Sequence, residues 1–344
     1  MRALGGKLKI TNIFVSCILF LLINLGELTS FEKVVLWGHK LHSSTHSYIH
    51  NAFYRAFEHL GYPTYWFDDN DDVSNFDFSN SLFITEGNVD KNIPLRNDCD
   101  YILHYCTPSK YAKQFKAGRC INLCVFTNER TIHSGNENIV YFDKGIYRDL
   151  QSRSIYMPWA TDLLPHEIDK IKDEVPRFFK KGNREIYWVG TTWAGIYGNN
   201  NELDAFRKAC KEKNVKFIPL SFIANAKLKG ISVEDNIELI QKSFIAPTIV
   251  GTWQKETGMI PCRIFKNISY GQMGATNSET IYEFFDKKIV YNPDPYQLFF
   301  DAEKRLETFT LEDLYELMDI VKTKHTYLNR IDTLLTFLEV AKNL

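Results

Sequence analysis

The chain carries no surplus of charge. Its 41 Lys and Arg stand against 42 Asp and Glu, for a formal net charge of -1. A basic nucleic-acid footprint is therefore absent at the level of the whole chain, so any phosphate site has to be local. Its seven cysteines (Cys17, Cys99, Cys106, Cys120, Cys124, Cys210 and Cys262) form no CxxC pair and no zinc spacing. Cys106, Cys120 and Cys124 fall in apolar strand-like runs, where a free cysteine behaves as a small hydrophobe; this favours a reducing compartment. There is no internal repeat and no low-complexity tract. The N-terminal apolar run, Ile13 to Gly26, falls short of the ~20 residues of a spanning helix. Arg2, Lys7 and Lys9 precede it and a small-residue exit lies near Ser30, the layout of a signal peptide or a short N-terminal anchor; a buried core helix is the third reading. A leader or anchor implies membrane association or the secretory pathway, and an unused segment implies a cytoplasmic protein. A spanning segment would leave residues 1–9 on the cytoplasmic side.

Apolar residues are plentiful: 44% hydrophobic and 14% aromatic, with 25 Phe, 18 Tyr and 6 Trp. That supplies a packed core and excludes a disordered chain. A length of 344 residues fits two domains or one large one. After Phe31, short apolar runs alternate with amphipathic segments. Strands are expected at Lys33–Trp37, Thr64–Phe67, Ser81–Thr85, Tyr101–Cys106, Ile121–Phe126, Ile139–Phe142 and Ser154–Ala160. Thr45–Leu60 has the 3–4 spacing of a helix, ended by Gly61 and Pro63. A charged, helix-breaking stretch, Thr161–Arg184, reads as an interdomain linker. A second series follows, with strands at Glu185–Gly190, Val215–Leu220 and Phe244–Val250, and helices near Glu202–Cys210 and Val233–Lys242. Leu311–Leu344 reads as helical throughout. Two such series predict an α/β protein of two doubly wound Rossmann-like domains facing a cleft, with C-terminal helices. The expected boundaries are 1–30 for the leader or anchor, 31–165 for the first Rossmann-like domain, 166–310 for the second and 311–344 for the closing helices.

Ligands of such a frame bind at the carboxyl ends of the strands. The stretch Ile260–Phe285 is the richest candidate. It predicts a helix from Cys262 to Tyr270, a turn from Gly271 to Gly274, a short strand from Ala275 to Asn277 and a helix capped by Ser278. Arg263 and Lys266 lie three apart, on one helix face. Helix N-termini offer unpaired N–H groups and partial positive charge, and two cations beside them make a seat for a diphosphate.

These residues resemble a known family. Gly190-Thr191-Thr192 after a strand, Asp235–Val250, Arg263–Gly271, His325–Leu338 and the passage Tyr156–Pro165 are similar, in order, to the C-terminal half of GT-B-fold glycosyltransferases. The flavour is that of the group 1-like enzymes related to bacterial spore-coat and surface-glycan transferases, which carry a donor-domain helix R-x-F-E-x-x-x-x-G. The resemblance implies transfer of a sugar from a nucleotide-diphosphate donor to a glycan, lipid or protein acceptor. It implies no separate cofactor, no metal and no nucleic-acid partner. Donor contacts would come from Gly190, Thr191, Thr192, Arg263, Lys266, Asn267, Gly271, Asn277, Ser278 and Glu279. The chain departs from the family at Lys266, where the family commonly has a ribose-binding glutamate, and at Gly258, where many retaining members have a second one. Lysine cannot accept a hydrogen bond, so it suits phosphate, and Glu279 or Glu283 would take the ribose.

Four histidines (His39, His42, His46 and His50) crowd the first loop and the helix after it. An imidazole there can deprotonate an acceptor hydroxyl at neutral pH, and His42 and His46 are the candidates. A zinc site would need a further well-placed ligand such as a carboxylate. The acidic run Asp68–Asp72 contains a DxD; it reads either as a cation site or as a solvated loop. The sequon Asn267-Ile268-Ser269 lies inside the proposed donor helix and is expected to be unglycosylated. A non-catalytic nucleotide- or sugar-binding protein on the same frame is the rival reading, and a surface protein keeping only the fold is a third.

Overall fold

The computed structural model describes residues 31–40, 45–87, 91–104, 108–125, 139–180, 183–192, 194–220 and 231–344. Expectations for residues 1–30, His42, Cys106 and Phe126 lie outside them. In the N-terminal half, β1 (Lys33–Trp37) leads to α1 (Thr45–His59), β2 (Thr64–Phe67), β3 (Ser81–Thr85), β4 (Asp100–His104), α2 (Ala112–Lys116) and β5 (Cys120–Cys124). The strands β6 (Ile139–Asp143), β7 (Ile146–Asp149) and β8 (Ser154–Tyr156) follow. They form one sheet in the order β2-β1-β3-β4-β5-β8-β7-β6, parallel as far as β8 and antiparallel beyond it. Val34 and Leu36 face one apolar cluster while Val35 and Trp37 face another. Both faces of the sheet are covered, which is why β1 reads as a continuous apolar run.

The second half runs α3 (Pro165–Phe178), β9 (Glu185–Val189), α4 (Asn200–Glu212), β10 (Lys216–Leu220), α5 (Val233–Lys242), α6 (Thr252–Glu256), α7 (Cys262–Ser269), β11 (Ala275–Thr276), α8 (Glu279–Phe284) and β12 (Val290–Tyr291). Parallel pairs β10–β9 and β11–β12 are joined through residues 244–250. Phe244 N–H donates to Glu185 O at 2.7 Å and Thr248 N–H donates to Ala275 O at 2.7 Å. The rungs therefore run β10, β9, 244–250, β11, β12. With β9 first in sequence, this is a 2-1-3-4-5 order, and β2-β1-β3-β4-β5 has the same order. Each half has its topological switch point, where ligands of such sheets bind, between its first and third rungs.

Two expectations are corrected, and the expected closing helices take definite bounds. Phe244–Val250 forms no regular strand, because Pro247 has no N–H to give a ladder. The expected linker Thr161–Arg184 contains the 14-residue α3. Pro165 sits at its first turn, where a proline is tolerated, and Ile168, Ile171 and Val175 bury one stripe. The closing tail is two helices, α10 (Leu311–Lys324) and α11 (Tyr327–Lys342), preceded by α9 (Pro295–Thr308). Thr326 and Asn329 cap α11. Leu314, Leu317 and Val321 of α10 join the C-terminal core, while Ile331, Leu334 and Leu338 of α11 join the N-terminal core.

Candidate functional site

The switch point of the first sheet gathers a histidine cluster. His39 follows β1, His46 lies in the first turn of α1, Glu86 follows β3 and His104 ends β4. One carboxylate oxygen of Glu86 lies 2.5 Å from His39 Nε2 and 3.0 Å from His46 Nδ1. His39 adopts a left-handed backbone, φ 55°, a conformation that costs an ordinary residue ~1–3 kcal/mol. Burial pushes the Glu86 carboxyl up, but the hydrogen bonds to the two imidazoles outweigh it and hold it at about 2. Glu86 therefore stays ionised and fixes which ring nitrogen of each histidine faces it.

Behind this cluster lie His50 and His104, both fully buried. His50 Nδ1 lies 2.8 Å from Gly38 O, which can only accept, so this nitrogen carries the proton. His50 Nε2 is then the acceptor for His104 Nε2–H, at 2.9 Å. Burial holds His50 at about 3 and His104 well below the ordinary range. Burial likewise lowers His325. All three stay neutral in the folded chain, whereas unfolded they bind a proton below about pH 6.5. The unfolded state then binds more protons, so stability falls as pH drops below that value. The expected slope is about 1.4 kcal/mol per pH unit for each histidine. Urea titrations at about pH 7.5 and about pH 5.5 measure it, and equal stabilities would remove the buried-neutral assignment.

At the second switch point, α7 begins beside the end of β9. Its first residue follows Pro261, and no side chain caps it. Arg263 lies with its guanidinium 3.8 Å above the Trp188 ring and donates to Val189 O at 3.1 and 3.3 Å. Burial lowers it to about 10. Among the described residues no carboxylate pairs with it. Gly190 is what lets it sit there, since a Cβ at that position would lie 1.7 Å from Arg263 Nη2. The Gly190 φ of +147° is also unfavourable for a side chain. Gly190→Ala is thus expected to displace the guanidinium and cost about 1–3 kcal/mol. Denaturant titration reads that loss, and unchanged stability would contradict the packing.

Lys266 stands elsewhere. It is 8% exposed and its Nζ lies 2.8 Å from Asp162. Burial works against its charge, but Asp162, Cys262 and Tyr48 together leave it raised overall. Tyr270 OH donates to the same carboxylate at 2.7 and 2.9 Å. Arg55 of α1 donates to Asp162 O, and Tyr48 of α1 donates to Ile231 O. This knot ties the two halves together, and the Tyr48 ring lies 4.9 Å from Lys266 Nζ. The first turn of α1 is thereby brought beside the last turn of α7, at Lys266. A cavity of about 870 Å³ opens next to the knot, between α1 on one side and α3 and α5 on the other. Ser47, Tyr48, Arg55 and Ile237 line it; Arg263 and Glu86 do not.

Of the other predicted donor contacts, Thr191 and Thr192 are half-buried beside Gly190. Asn267 donates to Ala246 O at 2.8 Å, inside the buried sequon. Asn277 exchanges two hydrogen bonds with Val250 at 2.9 Å each. Ser278 caps α8, Gly271 packs on Val175 and Phe178, and Glu279 is exposed. The acidic run organises its own turn. Asp69 accepts from Trp37 Nε1 and the N–H groups of Lys91 and Asn92, and Asp71 pairs with Lys40. Glu86 was missed in the sequence; its position directly after an apolar strand, at the carboxyl edge, was the available signal.

No protein-family model and no curated protein matches the sequence. Among solved structures, the chain is similar to "Trehalose-6-phosphate from E. coli bound with UDP-2-fluoro glucose", with 9% identity and a TM-score of 0.47 over 91% of this chain and 99% of that one. It is also similar to Anabaena HepE in complex with UDP and glucose, with 8% identity and a TM-score of 0.45 over 91% and 100%. A third is an alpha,alpha-trehalose 6-phosphate synthase from Burkholderia multivorans, with 10% identity and a TM-score of 0.42 over 87% and 77%. Likenesses this loose carry no argument about the chemistry of this chain.

Proposed function

We infer that the chain is a glycosyltransferase, moving a sugar from a nucleotide-diphosphate donor to a hydroxyl of a glycan, lipid or protein acceptor. The observation that carries this reading is Arg263. It is a half-buried cation with no carboxylate partner among the described residues, at a switch point, beside an uncapped helix N-terminus. Such a place favours an anion, and a departing diphosphate is stabilised there electrostatically without a metal at that end. Gly190, Thr191 and Thr192 flank it. The second element is His46. Its Nδ1–H faces the ionised Glu86, so its Nε2 carries the lone pair and serves as the base for an acceptor hydroxyl. Lys266 acts in this account through the Asp162 knot rather than on phosphate. Membrane association through residues 13–26, by leader or anchor, belongs to the same proposal.

A thermal-shift screen with UDP, GDP, CMP and their sugars tests donor binding, and release of free nucleotide from a bound sugar donor tests turnover. Binding without release would favour the non-catalytic reading. Absence of any nucleotide-induced shift would remove the donor site altogether.

A further inference from the structure

We propose that His39, His46 and Glu86 form a binding site for a divalent metal ion of the zinc or cobalt type. One ligand atom from each residue lies within 4.8 Å of the others. They come from three separate places in the fold: the second residue after β1, the first turn of α1 and the residue after β3. Two imidazole nitrogens and a carboxylate oxygen are the donors such ions prefer, whereas magnesium and calcium favour oxygen alone. Three protein ligands also leave a position open for water or a hydroxyl, as in catalytic zinc sites.

The framework is rigid where a metal site needs it. The left-handed backbone of His39 aims its ring at Glu86, and Ser47 Oγ donates to His39 O at 2.7 Å. The neutral rings of His50 and His104 pack behind, with centroids 5.5 Å from His39 and 5.1 Å from His46 respectively. They back the two ligand rings with packed bulk. Ligand atoms at roughly 2.0–2.2 Å from an ion require the 2.5 Å contact between His39 and Glu86 to widen, which rotation of the Glu86 carboxylate provides.

The proposal does not rest on the donor reading, because metal binding is measured with neither nucleotide nor sugar present. Metal and base do compete for one ring: coordination through Nδ1 moves the His46 proton to Nε2. A loaded chain therefore lacks the imidazole base, and its transfer rate differs from that of chelator-treated protein.

The full chain, stripped with chelator, is titrated with Co²⁺ and with Zn²⁺ by calorimetry and by visible absorption. The expected result is saturable binding of one ion, with the intense visible bands of a four- or five-coordinate cobalt. Glu86→Gln should weaken affinity by roughly tenfold or more, a loss at least as large as that from removing an outer-shell partner. Pale bands of hydrated cobalt in the wild-type chain would overturn the proposal and leave a hydrogen-bonded cluster only. Equal affinity in a folded Glu86→Gln chain would overturn it as well. The cobalt spectrum needs no variant, so a variant that fails to fold does not leave the question open.

Discussion

Replacing His46 with alanine, in metal-free protein, is expected to lower the turnover number for sugar transfer by roughly 10²–10⁴-fold and to leave nucleotide affinity essentially unchanged. The asymmetry follows from where the two groups sit. Arg263 and Gly190 lie at the end of the second sheet, while His46 lies at the end of the first. On the proposed roles, removing the base leaves the donor seat intact, so the loss is expected to fall on kcat. The proposed base, His46, is oriented by Glu86, 3.0 Å from Nδ1. Glu86→Gln therefore lowers kcat too, because an amide presents N–H as well as oxygen and no longer fixes the tautomer. Steady-state kinetics with nucleotide titration separates the two effects. An unchanged turnover number for His46→Ala would remove the base assignment while leaving donor binding in place.

Lys266→Met is expected to cost about 3–5 kcal/mol of stability, the usual loss when one partner of a buried ion pair is removed. Asp162 is 6% exposed and, among the described residues, would keep only the Tyr270 hydroxyl against its carboxylate. A second change, Asp162→Asn, removes the stranded charge while retaining an acceptor for Tyr270. The double variant is therefore expected to recover most of the loss, and a denaturation cycle over the four proteins measures the coupling. A ligand-binding lysine would behave differently. Its loss would leave stability near the wild-type value and abolish nucleotide binding, and that outcome would return Lys266 to the donor site.

The sequence showed the fold wherever a local pattern was enough. The run Lys33–Trp37 is β1, and the apolar spacing through Ile49, Phe53 and Ala56 is α1. Val233–Lys242 matches α5, where Ser232 accepts the N–H of Asp235 at the cap. It failed where two local signals conflicted. In α3, charges and two prolines outweighed the buried stripe of Ile168, Ile171 and Val175. At residues 244–250 a strand-like apolar run concealed what Pro247 does to the ladder. The site was legible to the same degree. His46 and Arg263 sit at helix starts, which composition and spacing reveal. Glu86 does not, because its meaning depends on β3 lying beside β1, and it meets His39 from 47 residues away. The role of Lys266 was hidden for the same reason: its partner Asp162 belongs to the passage between the two halves.

The central claim is that Arg263 holds the diphosphate of a nucleotide donor. Calorimetric titration of wild-type and Arg263→Met protein with the nucleoside diphosphate selected by the screen tests it most directly. Methionine keeps an unbranched side chain against Trp188 while removing the charge. The account predicts saturable binding to the wild-type chain and a loss of about 1.5–3 kcal/mol of binding free energy in the variant, the scale of a charge-assisted hydrogen bond. Equal affinities in two well-folded proteins would contradict it.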